Sequence, residues 1–140
     1  MSDMTIPPST HGAMAIITNG AGRYLMHLRD DIPGIAWPGH WSTLGGGCEE
    51  GEAPREAIVR ELQEEAGLTV EGLTEFCDAP DVNGSGQYLT FFSAIWEGDP
   101  RALTLTEGQE LDWVAPERWD ALLIPGFVLE ILHRHRTTTS

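Results

Sequence analysis

The stretch that most constrains this chain is residues 45–68, where Gly45, Gly46 and Gly47 lead into a glutamate-loaded segment that closes on Gly67. The three glycines read as a turn. Pro54 suits the first turn of a helix, where its missing N–H costs nothing. Gly67 suits the position just past the last turn, where a left-handed residue ends a helix. Between them apolar residues recur at helical spacing. At about 100° per residue, Ile58, Leu62, Ala66 and Val59 share one apolar arc, and Glu65, Glu61 and Glu64 form a contiguous acidic arc along its edge. Arg60 and Glu56 fall on the far side, four apart, where they can pair.

Carboxylates crowded on the edge of a buried helix face repel one another, and burying their charge is costly. A hard divalent cation resolves that conflict. Mg²⁺ prefers oxygen ligands and is commonly held by a few carboxylates together with substrate phosphates. A plain solvated acidic face is the competing reading, but it leaves the glycines on either side unexplained.

The stretch resembles the box of the Nudix hydrolase family, G-x5-E-x7-R-E-U-x-E-E-x-G-U with U aliphatic. Gly46, Glu52, Arg60, Glu61, Leu62, Glu64, Glu65, Gly67 and Leu68 fill its specified positions in order. The resemblance implies an α/β fold, a mixed sheet sandwiched between helices. It also implies hydrolysis of a nucleoside diphosphate linked to another group X, with Mg²⁺, or Mn²⁺ as a substitute. Carried onto this sequence, the metal ligands would be Glu61, Glu64 and Glu65, with a carbonyl of Gly45 or Gly46. Glu52 and Arg60 would brace the loop against the helix. The base that takes a proton from the attacking water would be Glu64 or an acid on a later loop, where Glu107 comes first and Glu110 second. The loop around Glu107 is similar to that of MutT-type members, which points to a nucleoside triphosphate. Nucleotide sugars and ADP-ribose-type substrates are the alternative within the family. MutT-type readers of oxidised guanine often carry an Asn soon after the proline before the last helix; here Pro125 is followed by Gly126, Phe127 and Val128. Dimers are common among such proteins.

Outside the box, Arg29 is placed to meet a phosphate, since its planar fork matches phosphate oxygens; a salt bridge to Asp30 or Asp31 is the alternative. Trp37 and Trp41 stand just before the glycines, where an indole can stack on a base or pack in the core. His133 and His135 fall in a basic tail and read as solvent-facing. The Cys and His spacing fits no zinc site.

At 140 residues the chain is long enough for one domain with a real core. The expected organisation is a flexible lead-in over 1–10, a single domain over 11–136 and a tail over 137–140. Strands are expected over 13–18 and 23–29 as a hairpin, then over 41–44, 73–77, 87–96 and 111–114, with helices over 116–122 and 127–135. A net charge of −14 argues against binding a nucleic acid backbone. No apolar run reaches membrane-spanning length, no secretory signal opens the chain, and two cysteines fit a reducing cytoplasm. A nucleotide-binding sensor without catalysis is the reading from another class, but such proteins usually lose a box glutamate and this chain keeps all of them. A prenyl-diphosphate isomerase is a further one, disfavoured by the intact hydrolase box.

Overall fold

A computed structural model describes residues 10–139 of the chain. The lead-in expected over 1–10 therefore lies, except for Thr10, outside the described residues. The elements are β1 (His11–Thr18), β2 (Tyr24–Leu28), β3 (Trp41–Ser42), β4 (Leu44–Gly47), α1 (Pro54–Ala66), β5 (Thr74–Pro80), β6 (Tyr88–Ile95), β7 (Glu110–Val114) and α2 (Gly126–Thr139). Short 3-10 turns span Pro100–Ala102 and Pro116–Ala121.

The apolar run of β1 is continuous because both of its faces are buried. Side chains alternate across a strand, so Ala13, Ala15 and Ile17 join the cluster packed on α1, while Met14 and Ile16 join the one packed on α2. The sheet runs β3-β2-β1-β6-β5, with β4 added to β1 and β7 to β2. β1 and β6 are parallel and the other pairs antiparallel. The result is the expected α/β/α sandwich, a mixed sheet between helices. Among the described residues no helix is long and apolar enough to cross a membrane.

Three expectations need correction. Gly45, Gly46 and Gly47 are not a turn: they form β4, with Gly45 opposite Met14 and Gly46 opposite Ala13. Locally the triplet looks like a break, but β1 supplies the partner that makes it a strand. The expected β1–β2 hairpin is present, with Thr18 opposite Tyr24; it is short because β4 occupies the other half of β1. On α1, Val59 is 52% exposed, and the buried positions are Ala57, Ile58, Leu62, Glu65 and Ala66. The buried arc is thus centred near Glu65, not beside it. Finally, His135 is buried, because it follows Val128, Ile131 and Leu132 on the inner stripe of α2 at helical spacing. Its Nδ1 meets the Tyr24 hydroxyl at 2.8 Å and its Nε2 the Ser93 hydroxyl at 2.7 Å. His133 is exposed, with its ring edge-on to Trp119. The same helix continues through 137–139.

Candidate active site

The helix α1 is held at both ends in ways that fix its carboxylates. At the start, Glu56 accepts the N–H of Ala53, so it does not reach Arg60. At the end, Gly67 takes φ 63° and donates to Gln63 O. The carbonyls of Glu64 and Glu65, which a helix terminus leaves without partners, are taken by Thr106: its hydroxyl donates to Glu64 O at 2.6 Å and its N–H to Glu65 O at 2.8 Å. Thr106 thereby ties the loop carrying Glu107 to the helix carrying the other glutamates. From the opposite strand, His27 Nε2–H donates to the carbonyl of Glu107 at 2.8 Å, and Asp30 accepts the N–H of Gly108 at 3.2 Å.

Glu61, Glu65 and Glu107 consequently line one cavity of about 300 Å³, together with Arg29, Gly45, Gly46, Trp37, Asp81, Gln87 and Phe127. Its floor is bare backbone. A Cβ at Gly46 would lie 2.7 Å from the Glu61 carboxyl carbon, and one at Gly45 would lie 2.2 Å from Ala13 O. The missing side chains let α1 press its carboxylates against β4, where Gly45 N–H donates to Glu65 Oε1 at 3.1 Å.

Glu65 is only 5% exposed. Burial, then the charge of Glu61, pushes its carboxyl up to about 8, against the opposing hydrogen bond from Gly45. Burial also raises Glu61, although Arg60 works against it. Arg60 itself grips Glu52 with a two-pronged fork, 2.8 Å on each arm, and donates to Gly47 O at 3.0 Å. That fork holds the Glu52 carboxyl down at about 2. The same guanidinium reaches Glu61 at 3.1 Å and Glu64 at 3.0 Å.

The other expected site residues separate into two groups. Arg29 lines the cavity, donates from Nε to Ala36 O at 2.7 Å, and forms no ion pair with Asp30 or Asp31 among the described residues. Trp37 also lines it. Trp41 packs against the cluster on the α2 side and stays out of the cavity. The Glu64 side chain is 58% exposed beside Arg60, and Glu110 is exposed at the start of β7, opposite Leu28; neither lines the cavity. His27, Asp81, Thr106 and Phe127 escaped the sequence reading. Only Asp81 carried a signal: it precedes Asn83, Gly84, Ser85 and Gly86, a turn-forming run that an Asp side chain can organise.

A larger cavity of about 650 Å³ opens at the far end of the sheet, between the 19–22 turn, the end of β6 and the last turns of α2. Glu117 is its one carboxylate among the described residues, so the chemistry belongs to the smaller one.

No three His, Cys, Asp or Glu side chains close into a ready-made metal cage among the described residues. The donors nevertheless fit Mg²⁺, which keeps several waters and needs only one or two carboxylates plus substrate oxygens. Glu65 is a buried hard-oxygen donor with another carboxylate beside it, and it forms no ion pair among the described residues. Glu61 and Glu65 would hold the ion, with Glu107 facing them.

A family model described as the NUDIX domain matches residues 8–129. The chain belongs to the Nudix family. Among Nudix relatives it is 31% identical to the nucleoside triphosphatase NudI of Escherichia fergusonii over 107 residues, 69% of this chain and 75% of that one. It is 39% identical to an RNA pyrophosphohydrolase of Cereibacter sphaeroides over 98 residues, 70% of this chain but only 54% of that one. The Nudix fold itself recurs in the MutT protein from Methanosarcina mazei Go1, with a TM-score of 0.72, 22% identity, and 97% and 99% of the two chains covered.

Proposed function

We propose that this Nudix protein hydrolyses the diphosphate linkage of a nucleoside triphosphate in the manner of a MutT-like diphosphatase. The observation that carries the reading is the convergence of Glu61, Glu65 and Glu107 on one cavity with Arg29 and a backbone floor. A bound Mg²⁺, or Mn²⁺ in its place, supplies neutralisation of the diphosphate oxygens and a water of lowered pKa. Glu61 and Glu65 hold the cation, and Glu64 joins them from the rim. Arg29 forks onto a phosphate oxygen and offsets its charge. Glu107, exposed at the cavity mouth, accepts the proton of the attacking water; Glu64 is the second choice for that role, ahead of Glu110. Arg60 and Glu52 do no chemistry and keep Glu61 aimed.

A free nucleotide suits the chain better than RNA, because its charge of −14 repels a polyphosphate backbone. The reading also has the enzyme in the cytoplasm, and as a homodimer where a partner face is used.

The test is a Mg²⁺-dependent hydrolysis screen against canonical and oxidised nucleoside triphosphates, nucleotide sugars, ADP-ribose and 5′-triphosphate RNA, with Glu65→Gln as the blank. Turnover of triphosphates, lost in the variant and with EDTA, is the expected result. Turnover of nucleotide sugars or ADP-ribose alone would replace the substrate class. Nucleotide binding without any turnover would make the protein a sensor.

A further inference from the structure

Trp37 combines three features that the hydrolytic chemistry leaves unused. Its φ is +53°, the one positive value among the non-glycine residues described, a conformation that a bulky side chain adopts only when its surroundings hold it there. Its indole Nε1–H donates to Asp81 Oδ1 at 2.8 Å. Its ring lies 6.3 Å from that of Phe127 at an interplanar angle of 41°. Both rings line the cavity that holds the glutamates.

Asp81 is the anchor. It is 4% exposed, and its second oxygen, Oδ2, accepts both the N–H and the hydroxyl of Ser85, each at 3.0 Å. The loop after β5 is therefore stapled to the loop before β3 through a single carboxylate, and the staple ends in an indole. Gly84 completes the fit, since a Cβ there would lie 2.2 Å from Trp37 Nε1.

We propose that Asp81 is a positioning residue that fixes Trp37, with Phe127, as an angled aromatic wall, and that this wall takes a planar nucleobase. The inference rests on the nucleotide reading above and deepens it, because it assigns the part of the substrate that the carboxylates do not touch. A flat π-face selects for a base and tolerates different bases, since every base has one. The wall therefore separates nucleotides from base-free phosphates more sharply than one base from another.

The test is equilibrium binding, so it stands whether or not the protein turns anything over. Isothermal titration calorimetry, which needs no indole as reporter, is run with guanosine and adenosine 5′-monophosphates and with ribose 5-phosphate, which has the same phosphate and sugar but no base. In the unaltered protein both nucleotides bind more tightly than ribose 5-phosphate. Trp37→Ala and Asp81→Ala weaken the nucleotides by about tenfold and leave ribose 5-phosphate close to where it was. Asp81→Asn, which keeps an acceptor for the indole, recovers most of the loss. Should Asp81→Ala fail to fold, Trp37→Phe serves in its place: it keeps a ring, loses the bond to Asp81, and gives an intermediate weakening. Equal weakening of all three ligands would reduce Asp81 to a structural role and overturn the proposal, as would no weakening of the nucleotides. Failure of hydrolysis with base-selective binding intact would instead overturn the hydrolase reading and leave the wall standing.

Discussion

At the scale of the residue, the outcome turns on carboxylates that differ in their surroundings although they share a helix. Glu65 is buried on the backbone floor, Glu61 half-buried with Arg60 on one side, and Glu64 largely in water. Glu65→Gln keeps the shape and loses the charge, so turnover should fall by at least about 100-fold while the circular dichroism spectrum stays unchanged. Glu64→Gln should also fall by orders of magnitude, which would place its carboxylate in the working site despite its contact with Arg60. Near-normal rates in both variants would remove the metal assignment. Arg60→Ala should lower the denaturation midpoint and the rate together, because Glu52, Glu61 and Gly47 O all lose the same donor. Arg60→Lys should rescue little of either, since an ammonium cannot reproduce the fork.

At the scale of the element, α1 was legible because its signals are local: Pro54, the recurrence of Ile58 and Leu62, and the stop at Gly67. β1 and β6 were legible from their apolar and β-branched runs. The glycine strand was not, because a glycine triplet is a local turn signal and only its pairing with β1, more than thirty residues earlier, overrides it. For the same reason the rotation of α1 about its axis is not legible: helical spacing orders the side chains, but β4 decides which of them press inward. Asp81 and His27 lie far along the chain from the residues they serve, and no periodicity links them. Gly46→Ala tests this view of β4. The added Cβ meets the Glu61 carboxyl, whose side chain must swing aside, so the rate should drop by about tenfold or more with little loss of stability. Gly45→Ala meets backbone instead, with nothing free to move, and should destabilise the protein by about 3 kcal/mol or more in chemical denaturation. Equal behaviour of the two variants would show that β4 acts only as a spacer.

At the scale of the whole molecule, the metal-free protein carries opposing pH dependences. The folded-state pKa of Glu65 lies above its ordinary value, so its protonated form favours the fold. That contribution is complete at low pH and is lost as pH rises towards about 8. His135 is shifted down by burial, so the fold favours its neutral form, and stability is lost as pH falls below the ordinary histidine value. Thermal melts without metal should therefore decline from mildly acidic pH towards pH 8, and Mg²⁺ should raise the midpoint most at the alkaline end. In Glu65→Gln that alkaline decline should flatten, and a decline that persists would assign it to Glu61, which burial also raises, or to general charge repulsion. The backbone floor has a longer consequence. Its fit to α1 leaves no side chain to vary, so random change there is mostly forbidden. The loops that carry Trp37 and Asp81 lie outside both apolar clusters and can drift without loosening either. A lineage built on this frame would keep its reaction while its diet changes, and a laboratory library seeking new substrates should be spent on residues 30–40 and 81–87.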